Sequence, residues 1–258
     1  MGSTGKNSSS ESYDNFADIP YTYPTADMDW DERTAQDKRY VEEVADRFRK
    51  YSNLDEWFDG LSSAEYSAIE GYVGNDYEDM NGAQYNTPWE DMDGWQKEQI
   101  ANLHNALNKF KLNKGIEVYR ETNFKIFESS SPMSMSEIRE YLSNGNEVKQ
   151  IDGFMSFSTH SGGSAVAGRG LVIEMSIAPS VSAGAGAYIG NTIGLKPESE
   201  FLTNTNSVLR FDKNSMYVDG KGRVHIKAEY LGRSEAQTIS PTYTGLKLTG
   251  KGAKKSKS

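Results

Sequence analysis

The chain has 258 residues, 36% of them hydrophobic, no cysteine and a formal charge of −9 at neutral pH. Without cysteine, disulfide scaffolds, thiol catalysis and thiolate metal sites are excluded, and the scattered histidines His104, His160 and His225 lack the ligand spacing of a zinc site. The net acidity argues against a nucleic-acid partner, which would need a basic footprint, and no run of about 18 apolar residues could span a membrane.

Residues 1–34 are Ser-rich, then acidic and aromatic. From Glu11 to Glu32 there are seven acids and no Lys or Arg, and no helical or strand period, so 1–34 is expected to be a flexible acidic arm. In Asp37–Tyr51 the apolar residues Tyr40, Val44, Phe48 and Tyr51 stand at helical spacing, which predicts a helix with one buried face. Ser62-Ser63-Ala64-Glu65 is a capping box, in which the Ser62 hydroxyl and Glu65 carboxylate satisfy each other's orphan amides, and Tyr66, Ile69, Tyr72 and Val73 follow it. Asp93-Gly94-Trp95-Gln96 repeats the device ahead of an apolar stripe of Ile100, Leu103, Leu107 and Phe110. His104 beside that stripe is expected to be a satisfied surface or core-edge histidine.

From Gly115 the period changes to alternation. Val118, Phe154, Val172, Ile177, Val208, Phe211, Val224, Ile226, Ala228 and Tyr230 lie in short runs broken by Gly, Asn, Ser and Pro, which predicts several strands. One further helix, Ser134–Leu142, interrupts them, with Ser134 as cap. Helices first and strands afterwards indicate an α+β domain over 35–235, built around a largely antiparallel sheet. After Glu235 the chain has no acid but carries Lys247, Lys251, Lys254, Lys255 and Lys257 among Gly and Ser. That composition predicts a flexible basic tail at 236–258.

The common phosphate and hydrolase templates fail. Gly184-Ala185-Gly186-Ala187-Tyr188-Ile189-Gly190 spaces its last glycine one residue too far for a dinucleotide fingerprint, and no helix pattern follows. Ser161–Gly170 lacks the Gly-Lys-Ser/Thr ending of a phosphate loop, and no nucleophile elbow is present. Three polar features remain, each at a strand end. In Ile116-Glu117-Val118-Tyr119-Arg120 alternation puts Arg120 on the face of Val118, so a guanidinium follows an inward residue. In Gly153-Phe154-Met155-Ser156-Phe157-Ser158-Thr159 the hydroxyls of Ser156 and Ser158 share the face of Phe154. In Pro197-Glu198-Ser199-Glu200-Phe201-Leu202 the two carboxylates would lie on one strand face, about 7 Å apart. Like charges that close are costly unless a ligand uses them.

In the order Arg, then Ser-x-Ser, then Glu-x-Glu, these features resemble the Arg-Ser-Glu class of mono-ADP-ribosyltransferases. Within it the chain is most similar to the bacterial exoenzyme toxins of binary actin-modifying, vegetative insecticidal and Rho-modifying type. The resemblance covers roughly Tyr51 to Tyr230, including the helical lead-in of Trp57, Leu61-Ser62, Glu65, Ala68-Ile69, Tyr72, Asn102-Leu103 and Ala106-Leu107. It implies the ADP-ribosyltransferase fold, two packed and mainly antiparallel sheets forming a cleft for NAD, and transfer of ADP-ribose to a protein arginine with release of nicotinamide and no metal.

The roles it implies are specific. Arg120 grips an NAD phosphate, as a planar guanidinium fork can, with Tyr119, Phe157 and Ser158 also lining the cofactor site. Ser156 positions the catalytic glutamate. Glu200 is that glutamate, bonding the nicotinamide ribose and stabilising oxocarbenium-like charge, and Glu198 selects an arginine acceptor. The motif's middle Thr is Phe157 here, and a register in which Ser158-Thr159-His160-Ser161 supplies the serines stays open. His160 would then neighbour the nicotinamide side. Gly190–Pro197 corresponds to the loop that contacts the acceptor. A monomer is expected; the lack of a signal-peptide pattern and the charged ends favour delivery to the cytosol of a target cell by a separate partner or particle, with injection by a phage or secretion system and synthesis inside the modified cell as the other routes. An NAD glycohydrolase and a non-catalytic phage interaction module of the same fold are the alternatives.

Overall fold

The computed structural model describes residues 12–21, 29–161, 169–190 and 199–234. A helical portion comes first. Helix α1 (Trp30–Tyr51) starts seven residues before the predicted Asp37, because the Asp29 side chain accepts from the Asp31 amide and Asp31 and Glu32 occupy the positive end of the helix. Its buried stripe is Tyr40, Val41, Val44, Ala45 and Phe48. Helix α2 (Leu54–Asp59) follows, then α3 (Ser63–Gly71), α4 (Tyr77–Asn86) and α5 (Gly94–Asn108). The expected capping boxes are present at Ser62/Glu65, Asp93/Gln96 and, before α6 (Met135–Tyr141), Ser134/Glu137. Trp57 on α2 is buried and its indole donates to the Ala106 carbonyl of α5 at 2.7 Å, so one side chain ties two helices together.

Between α3 and α4 the chain makes a wide helical turn, Tyr72–Asp76, broken at Gly74 where ψ is −109°. Wide turns of this kind reorient side chains within an otherwise continuous helix. Here the break separates Tyr72 from α4, and both return to the site below.

The strands are β1 (Ile116–Thr122), β2 (Val148–Ile151), β3 (Met155–Ser158), β4 (Leu171–Ile177), β5 (Gly186–Tyr188), β6 (Glu200–Thr203), β7 (Ser207–Phe211), β8 (Tyr217–Val218) and β9 (Val224–Arg233). They run in the order β2-β7-β9-β4-β1-β3-β6-β5, with β8 beside β9. All pairings are antiparallel except β4 with β9. The two expected sheets are thus continuous through one hinge-like junction, since β1 and β3 pair through Tyr119 and Ser158 alone, whereas β1 and β4 are in register over seven residues. The core runs from the layer between the helices and β5–β6 through the sheet to Phe127, Ile138 and Phe211 beside α6. Phe48 stacks on Tyr188 with ring centroids 4.4 Å apart, and Phe110 meets Phe201 edge to face at 6.2 Å.

Residues 12–21 do not behave as the arm expected of 1–34. The Asp14 backbone adds a parallel bridge to β1, accepting from Glu117 N at 2.9 Å and donating to Gly115 O at 3.0 Å. Phe16 is buried against Phe48 at 5.3 Å. The Asp14 carboxylate accepts from Tyr51 and Arg47, and despite desolvation its pKa stays below the usual carboxylate value. Two apolar side chains, Phe16 and Ile19, and one well-partnered acid dock this stretch in spite of its polar composition. The remainder of 1–34 that lies before Ser12 and at 22–28, and the tail from Glu235, fall outside the described residues.

Candidate active site

At the junction where β1 and β3 pair through one residue, Arg120 reaches across from β1. Its Nη1 donates to the Ser156 carbonyl at 2.6 Å, while its buried Nε has no hydrogen-bond partner. Burial pulls the guanidinium below the usual arginine range. The fields of Tyr72, Tyr85 and Glu200 oppose that, and neighbouring Arg169 reinforces it. Among the described residues Arg120 makes no ion pair. A half-buried cation with an orphaned, buried donor, beside the exposed Arg169, is a site short of negative charge.

Tyr72 stands over Ser156. Its hydroxyl accepts from Asn81 Nδ2 at 3.1 Å with the Ser156 side chain beside it, and burial, with the negative field of Glu200 adding, pushes it up to about 12. Asn81 on α4 has a second duty, because its Oδ1 accepts from the Phe154 amide at 3.0 Å and so pins the entry to β3. Tyr85, one turn further along α4, lays its ring on Gly153. A Cβ at Gly153 would come within 2.8 Å of that ring, so only glycine admits the contact. Tyr77 meets Tyr72 edge to face at 6.4 Å and lies in the field of Arg169. The helical portion therefore covers the Arg120–Ser156 junction with Tyr72, Tyr85 and Asn81, and Tyr77 stands outside Tyr72.

The sequence-predicted residues fall into four groups. Arg120, Ser156 and Glu200 come together around Tyr72. Ser158 lies opposite Glu200 in register, but its hydroxyl accepts from the His160 amide at 3.0 Å. Phe157 and Tyr119 turn elsewhere. Phe157 is 2% exposed and opposite Phe201, inside the core, because the residue between two cleft-side serines must point the other way. Tyr119 points with Glu117, to which its hydroxyl donates at 2.6 Å, away from Arg120 along β1. Neither side chain lines the junction. Glu198 and residues 191–197 of the loop lie outside the described residues.

Glu200 opens β6 half-buried, and Ser199 before it is fully buried with φ at +41°. The strand alternation of β6 therefore begins at Glu200, and the expected pairing of Glu198 with Glu200 on one strand face falls outside the described residues. Gly190 lies against this turn. A Cβ there would meet Glu200 N and Ser199 Cα at 2.9 Å.

His160 packs edge to face on Tyr21 and Tyr40, at 4.9 and 5.8 Å, and burial lowers its pKa. His104 is core rather than surface: Asn108 Nδ2 donates to its Nε2 at 2.7 Å, and its Nδ1 meets Asn204 Oδ1 at 3.0 Å. Among the described residues no group of three His, Asp or Glu could hold a metal, and no helix is long and apolar enough to cross a membrane. Tyr72, Tyr77, Asn81, Tyr85 and Arg169 were not singled out as site residues by the sequence. The readable signal for the first four was the interval of five, four and four residues, which returns side chains to one side of a helix interrupted by one wide turn.

Arg120 at the strand junction, Ser156 beneath Tyr72 and Glu200 opening β6 are thus brought to one place by β1, β3 and β6. The chain belongs to the ADP-ribosyltransferase exoenzyme family, whose pattern matches residues 45–233. It is similar to NAD(+)--arginine ADP-ribosyltransferase EFV of Enterococcus faecalis, 27% identical over 153 residues, which are 59% of this chain and 29% of that one. Its fold is that of the ADP-ribosylating toxin BECa of Clostridium perfringens, solved with NADH (22% identity, TM-score 0.60, 74% of this chain and 48% of that one). Plx2a of Paenibacillus larvae (20%, 0.62, 74% and 96%) and the C3 exoenzyme of Clostridium limosum (16%, 0.56, 74% and 94%) share it. The chain spans about three tenths of the length of the curated relative and about half that of BECa.

Proposed function

We propose that this protein transfers ADP-ribose from NAD to arginine side chains of a protein acceptor and releases nicotinamide. The observation that carries the reading is the half-buried Arg120, with a buried, orphaned Nε and no ion-pair partner among the described residues, set beside Ser156, Tyr72 and Glu200. The dinucleotide's pyrophosphate supplies the missing anion, with Arg169 as a second cation. Tyr72 and Ser156 orient Glu200. The bond from the ribose anomeric carbon to the nicotinamide nitrogen breaks, its electron pair leaving with nicotinamide, and the carboxylate of Glu200 offsets the positive charge that develops on the ribose. A guanidinium nitrogen of the acceptor then forms the new bond to that carbon and gives up a proton, for which Glu198 is the base.

Two features support Ser156 as the serine of the motif. It lies at the Arg120–Tyr72 junction, whereas the hydroxyls of Ser158 and Thr159 are engaged by the His160 amide and by Ser199. The arginine acceptor rests on Glu198 and on the likeness to the Enterococcus enzyme. The proposal extends, on the family resemblance, to a monomeric catalytic chain that a separate partner delivers to the cytosol of a target cell.

The test is nicotinamide release and labelling of protein from NAD, with and without an arginine-rich acceptor. Glu200→Ala should abolish both release and labelling. Glu198→Ala should abolish labelling and keep part of the release. Equal loss in both variants refutes the division of roles; release without labelling in the wild type makes the protein an NAD glycohydrolase, and no release at all makes it a non-catalytic module.

A further inference from the structure

We infer that Glu121 is a positioning residue for NAD binding: from the face of the sheet opposite the cleft, it holds the backbone of Arg169 so that this cation stands with Arg120 at the anion site. The inference rests on the transferase reading above. Arg120 and Glu121 are consecutive on β1, so alternation sends the guanidinium to the cleft and the carboxylate to the reverse face. There Glu121 is 5% exposed, and each of its oxygens is engaged. Oε1 accepts from the Arg169 amide at 2.9 Å, and Oε2 accepts from Arg223 Nη1 at 2.9 Å. Arg223 is itself clamped by Asp219, whose Oδ2 lies 2.8 Å from its Nε and 2.7 Å from its Nη2. Asp219 Oδ1 in turn accepts from the amides of Lys221 and Arg223, both at 2.9 Å, which fixes the turn between β8 and β9.

These bonds converge on one residue. Arg169 is held at its amide by Glu121, and the next residue is held at its carbonyl, since Gly170 O accepts from Val224 N at 2.9 Å. Gly170 has φ at +85°, which glycine adopts freely, and β4 starts immediately after it, with Leu171 opposite Thr122. The Cα of Arg169 thus sits between two pinned groups, and its exposed side chain sends its field to Arg120 and Tyr77. Two cations at one place repel, so an unpinned Arg169 would turn away from Arg120 into solvent. Glu121 opposes that through the backbone, while its own charge is engaged by Arg223 on the far side of the sheet. Tying β1 to the β8–β9 turn needs only the bond to Arg223; the oxygen on the Arg169 amide is what joins that ion pair to the cleft. Loss of Glu121 should therefore weaken NAD binding through Arg169 and leave the bond-breaking step, which belongs to Glu200, unchanged.

The experiment compares wild type, Glu121→Ala and the isosteric Glu121→Gln, each also combined with Arg169→Ala. A glutamine has one acceptor oxygen in place of two, so it keeps the packing but cannot accept from Arg223 and the Arg169 amide together. KM and kcat for NAD hydrolysis are measured for each. KM should rise about ten-fold in Glu121→Ala, a part of the roughly 10²-fold that misplacement by about 1 Å can cost, and about three-fold in Glu121→Gln, with kcat within about two-fold in both. In the Arg169→Ala background the same substitutions should change KM by less than about two-fold, because the group they position is gone. A purely structural role would add its effect in both backgrounds. An unchanged KM in both single variants, an equal rise with and without Arg169, or a fall confined to kcat overturns the inference. If Glu121→Ala does not fold, Glu121→Gln carries the same comparison. Amide hydrogen exchange reads the arrangement without NAD: the Arg169 amide should be protected in wild type and exchange at least about three-fold faster in Glu121→Gln. A wild-type Arg169 amide that exchanges as fast as an open chain overturns the inference. A wild type whose Arg169 amide is protected but which neither binds nor cleaves NAD overturns the transferase reading instead.

Discussion

Arg120→Met separates binding from folding in a way the structure makes quantitative. The substitution removes one charge-assisted bond, to the Ser156 carbonyl, worth about 1.5–3 kcal/mol. It also removes a half-buried cation that makes no ion pair among the described residues and has an orphaned Nε. Full burial of an ion costs several kcal/mol even after relaxation, and partial burial roughly half of that. The two effects nearly cancel, so the melting temperature without ligand should move by no more than about 4 °C, at 2–4 °C per kcal/mol for a chain of this size. Binding responds differently. NAD at a hundred times its dissociation constant stabilises wild type by about 2.7 kcal/mol, a rise of roughly 5–11 °C. Losing the arginine–phosphate contact, about 3 kcal/mol, weakens binding by more than 10²-fold. The same NAD concentration then adds only about 0.3 kcal/mol, roughly 1 °C. Differential scanning fluorimetry with and without NAD reads both quantities. A full ligand shift in Arg120→Met, or a fall of more than about 10 °C without ligand, would refute the assignment of Arg120 as the anion site.

Two further outcomes follow from the packing. Burial and the nearby Arg233 hold the His104 imidazole down to about 3, against about 6.5 when unfolded. The unfolded chain therefore binds more protons between those values, and stability falls as pH drops from 6.5 towards 3. Urea unfolding at pH 7 and 4.5 should show a loss of up to about 2.7 kcal/mol from this group, with half-buried His160 adding in the same direction, and His104→Gln should flatten the slope. An unchanged slope in that variant would exclude His104 as the cause. Phe16→Ala should cost about 3–5 kcal/mol, because the ring is 1% exposed and stacked on Phe48. A loss under about 1 kcal/mol by chemical denaturation would mean that residues 12–21 are not docked in solution.

What the sequence determined by itself is local. The capping boxes at Ser62, Asp93 and Ser134 are legible because each is closed within four residues, and so is the switch from helical to alternating period at Gly115. The ordered Arg, Ser-x-Ser, Glu-x-Glu features marked Arg120, Ser156 and Glu200 because each is a polar residue within or at the start of a short apolar strand. Tertiary structure decided the rest. Phe16 and Asp14 look like members of a polar arm until Phe48, Arg47 and β1 supply their partners. Phe157 and Tyr119 stand beside motif residues in sequence, yet alternation sends one into the core and the other to Glu117. Ser199 reads as a spacer on a strand. Its left-handed backbone and its hydroxyl partners come from residues 11 and 40 positions away, and no pattern of nearest neighbours encodes a contact made only after the helices close over the sheet.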